Sequence, residues 1–172
     1  MTKRKIFIVG LTHTGKNSLD LALTRLGYSC KHYPHPNQVM QEAARYDVLS
    51  DTPVISYMVR LDRHYPDARF ILTVREIESW LKSCEVHWKR RRKLKKIQKV
   101  NRKRVYGATA FDAERFRKVY IAHEAWVRKH FAGRPDKLLV LNVCGGEGYE
   151  KLCPFLGVPV IDKPFPHVNR KI

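Results

Sequence analysis

At 172 residues, 44% of them apolar, the chain is long enough for one hydrophobic core and short for two. No apolar run reaches the roughly 18 residues of a membrane span, and four cysteines without a CxxC pair argue against a zinc ribbon or a disulfide scaffold. The formal charge of +18 directs attention to anionic partners: nucleotides, nucleic acid, acidic lipid, or phosphorylated and sulfated compounds.

In chain order, the basic start Met1 to Lys5 precedes an apolar stretch too short for a secretory signal, so a cytoplasmic protein is expected. Lys5 to Gly10 reads as a buried strand ending in glycine. Asn17 to Leu26 has the apolar spacing of a helix and stops at Gly27. A short strand is expected at Tyr28 to His32, a turn at His35-Pro36-Asn37, and a helix over Gln38 to Tyr46. Asp51-Thr52-Pro53 reads as a turn or helix start, followed by a helix through Tyr65. Arg69 to Val74 is the clearest strand. A helix from Ile77 through Trp88 leads into the run Lys89 to Arg104, in which eleven of sixteen residues are Lys or Arg and none is acidic. A long amphipathic helix over Phe111 to Phe131, a strand over Leu138 to Val143, a glycine loop and a helix over Tyr149 to Leu156 complete the chain. Continuously apolar strands alternating with helices predict one α/β domain over residues 1–172, with a central parallel sheet covered on both faces in three layers and the basic run as an insertion or loop.

The first strand runs through Gly10-Leu11-Thr12-His13-Thr14-Gly15-Lys16 directly into a helix. Strand, glycine-bounded loop and helix N-terminus together make an anion cradle of P-loop type, and the spacing is that of GxxxxGK. The hydroxyl that would ligate magnesium is replaced by Asn17, with Ser18 one position late. The best strand ends in Arg75, where a magnesium-binding carboxylate would stand. Asp51 is the remaining carboxylate, and no apolar strand is predicted before it. The pattern reads as a phosphate loop without its metal.

Several segments resemble the sulfotransferases that use 3'-phosphoadenosine-5'-phosphosulfate. Ile8 to Leu19 is similar to the family's phosphosulfate loop, GxxRTGTTSL. Phe70 to Ser83 resembles its 3'-phosphate motif, with Arg75 and Ser83 at the family spacing. Asp51-Thr52-Pro53, Tyr65 to Phe70, Gly146 to Cys153 with Phe155-Leu156-Gly157, and Phe165 to Asn169 follow in family order. The resemblance implies a P-loop NTPase-like fold and transfer of a sulfuryl group to an acceptor hydroxyl or amine, releasing 3',5'-ADP without a metal. It also implies that Thr12, His13, Thr14, Gly15, Lys16, Asn17 and Ser18 hold the 5' end of the nucleotide, and Arg75 and Ser83 its 3'-phosphate. Two departures stand out. His13 occupies the place of an Arg or Lys, and Lys16 and Asn17 replace two threonines, so Lys16 is expected to supply the cation near the bridging oxygen.

Asp51 is the first choice for the general base and His13 the second; an Asp before Thr-Pro is equally a helix N-cap. The basic run reads as a solvated face, or as a surface for an acidic acceptor. Nucleic acid is disfavoured because aromatic residues do not interleave with its charges. The competing functions are a P-loop kinase or nucleotide triphosphatase, and a non-catalytic nucleotide- or nucleic-acid-binding protein on the same fold.

Overall fold

The computed structural model describes residues 4–90 and 94–168. Five strands run β1 (Ile6–Ile8), β2 (Cys30–His32), β3 (Val48–Ser50), β4 (Arg69–Thr73) and β5 (Leu138–Leu141). They form one sheet in the order β2-β3-β1-β4-β5, with every neighbouring pair parallel. The helices are α1 (Lys16–Arg25), α2 (Val39–Arg45), α3 (Thr52–Ile55), α4 (Met58–His64), α5 (Ile77–Arg90), α6 (Lys96–Tyr106), α7 (Ala113–His130) and α8 (Tyr149–Leu156). Short 3-10 turns lie at Pro36–Gln38 and Val143–Gly145.

Alternation along the central strand sorts the core into two layers of side chains. Ile6 and Ile8 of β1 pack with Leu19 and Leu23 of α1 and Leu152 and Leu156 of α8 on one face. Phe7 and Val9 pack on the other with Val39, Leu61, Val127 and Phe131, from α2, α4, α7 and the residue after it. Both faces are thus covered, which is why the strands read as unbroken apolar runs. A third cluster, built from Trp80, Trp88, Tyr106, Phe116 and Tyr120, joins α5, α6 and α7 beside the loop that follows β1. This is the P-loop-type α/β arrangement expected from the strand–loop–helix start.

The structure departs from expectation in three places. Val48–Ser50 is a fully buried strand paired on both sides, so Asp51 does follow an apolar strand. Three residues were too few to show a period, and Asp47 and Asp51 bracket them. The helix expected over Val54 to Tyr65 is two helices, broken at Ser56 and Tyr57. The basic run is no loop where it is described: its second half forms α6, closed by Gly107 in the left-handed conformation. Arg91, Arg92, Lys93 and Asn169 lie outside the described residues. The four cysteines are unpaired. Among the described residues no helix is long and apolar enough to cross a membrane.

Candidate active site

The loop from Gly10 to Gly15 is pressed onto the ends of β4 and the 3-10 turn at Val143–Gly145. A Cβ on Gly10 would sit 1.9 Å from Thr73 Oγ1 and 2.6 Å from the Thr73 carbonyl oxygen, so this crossing admits only glycine. Gly15 has φ +91° and abuts Val143, where a Cβ would stand 2.8 Å from that side chain. The loop is tied down from beneath. Trp80 Nε1 donates to the Thr12 carbonyl at 2.7 Å, the Thr12 amide donates to Tyr106 Oη at 3.1 Å, and His123 Nε2 donates to the Val9 carbonyl at 2.7 Å. Thr14 belongs to this scaffold: its buried hydroxyl bonds the Leu11 carbonyl and Thr73 Oγ1, each at 2.6 Å, and is turned away from the open side.

No side chain caps the N-terminus of α1, so its first amides carry the positive end of the helix toward the cleft. Lys16, only 4% exposed, folds back to donate to the Gly10 carbonyl at 3.1 Å and pairs with Asp51 Oδ1 at 2.5 Å. Asp51 also accepts from the Thr52 amide at 2.7 Å, so the N-cap role read from the sequence and the ion pair coexist. Its backbone, φ 87° and ψ 175°, lies in a region that side chains avoid at a cost of about 1–3 kcal/mol, held there by these contacts. Burial alone would raise the Asp51 pKa, but the Lys16 ammonium and then His32 outweigh it. The carboxyl is held well below the usual carboxylate range.

His32 is the residue that sequence reasoning missed. Its Nδ1 lies 2.8 Å from Asp20 Oδ2 and its Nε2 3.1 Å from Asp51 Oδ2. Carboxylates only accept, so both ring nitrogens donate and the ring is an imidazolium. Hydrogen bonding to Asp20 and then Asp51 pushes its pKa up to about 9. Ser50 Oγ adds a bond to Asp20 Oδ2 at 2.7 Å. The signal was a lone His in a short strand, with partners 12 and 19 positions away and no local pattern to link them.

The second anchor comes from β4 and α5. The Arg75 guanidinium donates to Ser79 Oγ through Nε at 3.0 Å and Nη2 at 2.8 Å, and reaches the His13 carbonyl at 3.3 Å. Its backbone is clamped by Tyr120 Oη, which accepts from the Arg75 amide at 2.9 Å and donates to its carbonyl at 2.6 Å. Ser83, one helical turn beyond Ser79, lies 3.3 Å from His13 Nδ1. The spacing of Arg75 and Ser83 therefore brings both to the phosphate-loop side of one cleft. His13 itself has φ +62° and packs edge-on against His87. Burial first, then the charges of His87, Lys16 and Arg75, lower its pKa to about 4, so its ring is neutral at pH 7. Its Nε2 is shielded and has no partner among the described residues.

These groups line one cleft of about 1440 Å³. Thr12, Asn17 and Ser18 also line it, and the tail closes over it where the Val168 amide donates to Ser18 Oγ at 3.0 Å. The C-terminal part of α5 and α6 form a further wall. Arg102, 9% exposed, stacks 4.0 Å over Trp88 and donates to the Thr109 carbonyl, and Asn101 donates to Tyr33 Oη at 2.9 Å. Part of the basic run thus faces the same cleft as the loop and is not a wholly solvated face. Lys16, Arg75, Lys82, Arg90 and Arg102 line the cleft, and Asp51 is the only carboxylate among its described lining residues.

A family model for the sulfotransferase domain matches residues 33–171, more than half of the chain. The chain belongs to the sulfotransferase family. The match begins beyond the glycine loop, so the loop's geometry is a separate observation. A protein of Aspergillus versicolor named "Ava biosynthesis cluster protein M" is 26% identical across 95% of this chain and 80% of its own length. The crystal structure of a sulfotransferase from Alicyclobacillus acidocaldarius superposes with a TM-score of 0.62, covering 95% of this chain and 85% of that one at 16% identity. That likeness is one of fold. Within this sulfotransferase-family protein the described cleft lining is cationic, and Asp51 is already engaged by Lys16 and His32.

Proposed function

We propose that the protein transfers a sulfuryl group from 3'-phosphoadenosine-5'-phosphosulfate to an acceptor hydroxyl or amine. The observation that carries this reading is the meeting, in one cleft, of an uncapped helix N-terminus bearing Lys16 with the Arg75–Ser79–Ser83 cluster. The first suits the 5' end of such a nucleotide and the second its 3'-phosphate. Arg supplies a planar fork, and the hydroxyls on α5 add donors. The cleft, at about 1440 Å³, exceeds the ~300–1,000 Å³ of a typical small-ligand pocket, which leaves room for an acceptor beside the donor.

In the transfer, the acceptor oxygen or nitrogen bonds to sulfur as the bond from sulfur to the 5'-phosphate oxygen breaks, and 3',5'-ADP leaves. The donor brings the activated sulfur; the chain supplies charge and order. Lys16 stands at the start of α1, where negative charge would grow on the leaving oxygen, and its effect is felt mainly in the transition state. His13 is neutral and shielded, so it does not replace the missing loop cation. Asp51 Oδ2 keeps a lone pair beyond its bond to His32. An acceptor that has begun to bond to sulfur is acidic enough for this weak base to receive its proton.

One observation favours a second reading. Asp51 ends the strand beside β1, next to Lys16, a place where a magnesium-dependent kinase would hold its metal through a carboxylate. A melting scan with 3',5'-ADP, 5'-AMP and Mg-ATP separates the two. We expect 3',5'-ADP to raise Tm most, without magnesium; at 100 times its Kd the stabilisation is ~2.7 kcal/mol. A larger, magnesium-dependent shift with ATP would reject sulfuryl transfer in favour of the kinase.

A further inference from the structure

Four charged side chains of alternating sign lie in a row at the cleft: Asp20 on α1, His32 on β2, Asp51 after β3 and Lys16 on α1. The links are 2.8 Å from Asp20 to His32, 3.1 Å from His32 to Asp51, and 2.5 Å from Asp51 to Lys16. Ser50 braces the first link from β3, with its Oγ 2.9 Å from His32 Nδ1 and 2.7 Å from Asp20 Oδ2. Asp20 of α1, Ser50 of β3 and Asp51 after it are thus the charged or polar groups in contact with His32, with Lys16 behind Asp51. Three of the four chain members sit on elements packed against one another, so the row has few ways to rearrange as a whole.

Asp51 is the weak point of this row. Its backbone is strained, and the Lys16 ammonium would by itself draw the carboxylate toward the loop. His32 pulls on the other oxygen from the far side, so the carboxylate is spanned between two cations. Removing His32 leaves Asp51 with Lys16 and the Thr52 amide, all on one oxygen, and takes away the contact that sets its orientation.

We propose that His32 is a positioning residue of the transfer site, which fixes Lys16 at the mouth of the loop by holding Asp51 between two cations. The proposal deepens the sulfuryl-transfer reading and rests on it for its purpose, while the geometry it describes is the set of contacts among Asp20, His32, Asp51 and Lys16 themselves. His32 does not itself need to touch donor or acceptor. A histidine serves here because it presents two opposed donors in one rigid plane, a fit that neither Lys nor Arg reproduces in the same space.

The test is a carbon-detected NMR titration of the full chain, following the Lys16 Cε–Hε signal, assigned by its loss in Lys16→Met, together with the His32 ring signal. Both signals should shift with one shared midpoint, near pH 9, as His32 gives up its proton. His32→Phe should move the Lys16 signal toward the position of exposed lysines and abolish that shared transition. His32→Gln, whose amide still donates to Asp51, should recover much of the native Lys16 position. Independent midpoints, or a Lys16 signal unmoved in folded His32→Phe, would overturn the proposal; if His32→Phe fails to fold, the wild-type midpoints and the Gln variant decide it. The same samples titrated with 3',5'-ADP keep the two readings apart. No binding by wild-type protein rejects the donor assignment while the Lys16–His32 coupling stands or falls on its own midpoints.

Discussion

At the residue scale, the proposed transfer rests most heavily on Lys16 and Asp51, with His32 as the residue that positions them. Lys16→Ala should depress transfer at least 10-fold more than it weakens 3',5'-ADP binding, because leaving-oxygen charge develops late. Single-turnover rates beside calorimetric affinities check this, and an equal loss in both would reduce Lys16 to an anchor. Asp51→Asn removes the negative charge from a buried pair and leaves the Lys16 ammonium with neutral oxygens only, so a loss of about 3 kcal/mol is expected in urea melts. The pH dependence has a definite sign. His32 has a raised pKa, so its contribution to stability is complete below about 6.5 and is lost as pH climbs through about 9. His13 has a lowered pKa, so its neutral burial costs stability as pH falls from about 6.5 toward 4. Urea melts between pH 5 and 10 should therefore show a maximum near pH 6.5 with a fall on either side, and His32→Gln should remove the alkaline one. An alkaline limb unchanged in that variant would contradict the assignment.

At the scale of elements, the loop and the two strands beside it decide what the site can be. Gly10→Ala should destabilise the fold by about 2 kcal/mol or more, as overpacking does. Adding Thr73→Ala should not rescue it, since the Thr73 carbonyl oxygen, 2.6 Å from the new carbon, remains. Recovery of Tm in the double variant would show that the side-chain clash alone sets the constraint. The strand–loop–helix start was legible in the sequence because a glycine-bounded turn is local, whereas Arg75 and Ser83 were singled out by the family resemblance alone. β3 was not legible, since a three-residue strand between two aspartates shows no period. Its omission hid the fact that Asp51 stands at a strand end beside Lys16. His32 and Arg102 were illegible for a related reason. Their roles depend on partners brought together by sheet order and by the packing of α6, which no spacing along the chain encodes. Thr14 shows the reverse: its place in the loop motif suggested a ligand contact, while its hydroxyl serves the scaffold.

At the scale of the whole molecule, the +18 charge divides into two parts with different consequences. Lys95, Lys96, Lys99, Lys103 and Arg104 are exposed, whereas Arg102 is buried against Trp88 and lines the cleft. Neutralising four of the exposed residues should change 3',5'-ADP affinity less than threefold at 0.1 M salt, where charges beyond ~10 Å are screened. Arg102→Met should weaken ligand binding in the cleft and lower Tm, because it removes both a cation and its stack on the indole. Equal effects of the two variants on calorimetric affinity would contradict this division.

In the proposed function, Arg75 and its α5 hydroxyls read a 3'-phosphate while the loop holds the 5' end. Calorimetric titration of wild-type and Arg75→Ala protein with 3',5'-ADP and 5'-AMP, in the presence of a chelator, tests it most directly. Wild-type protein should prefer 3',5'-ADP. Arg75→Ala should lose about 1.5–3 kcal/mol with 3',5'-ADP, the worth of a hydrogen bond to a charged group, and little with 5'-AMP. Equal affinity of the wild-type protein for the two nucleotides, or an equal loss with both in the variant, would contradict it.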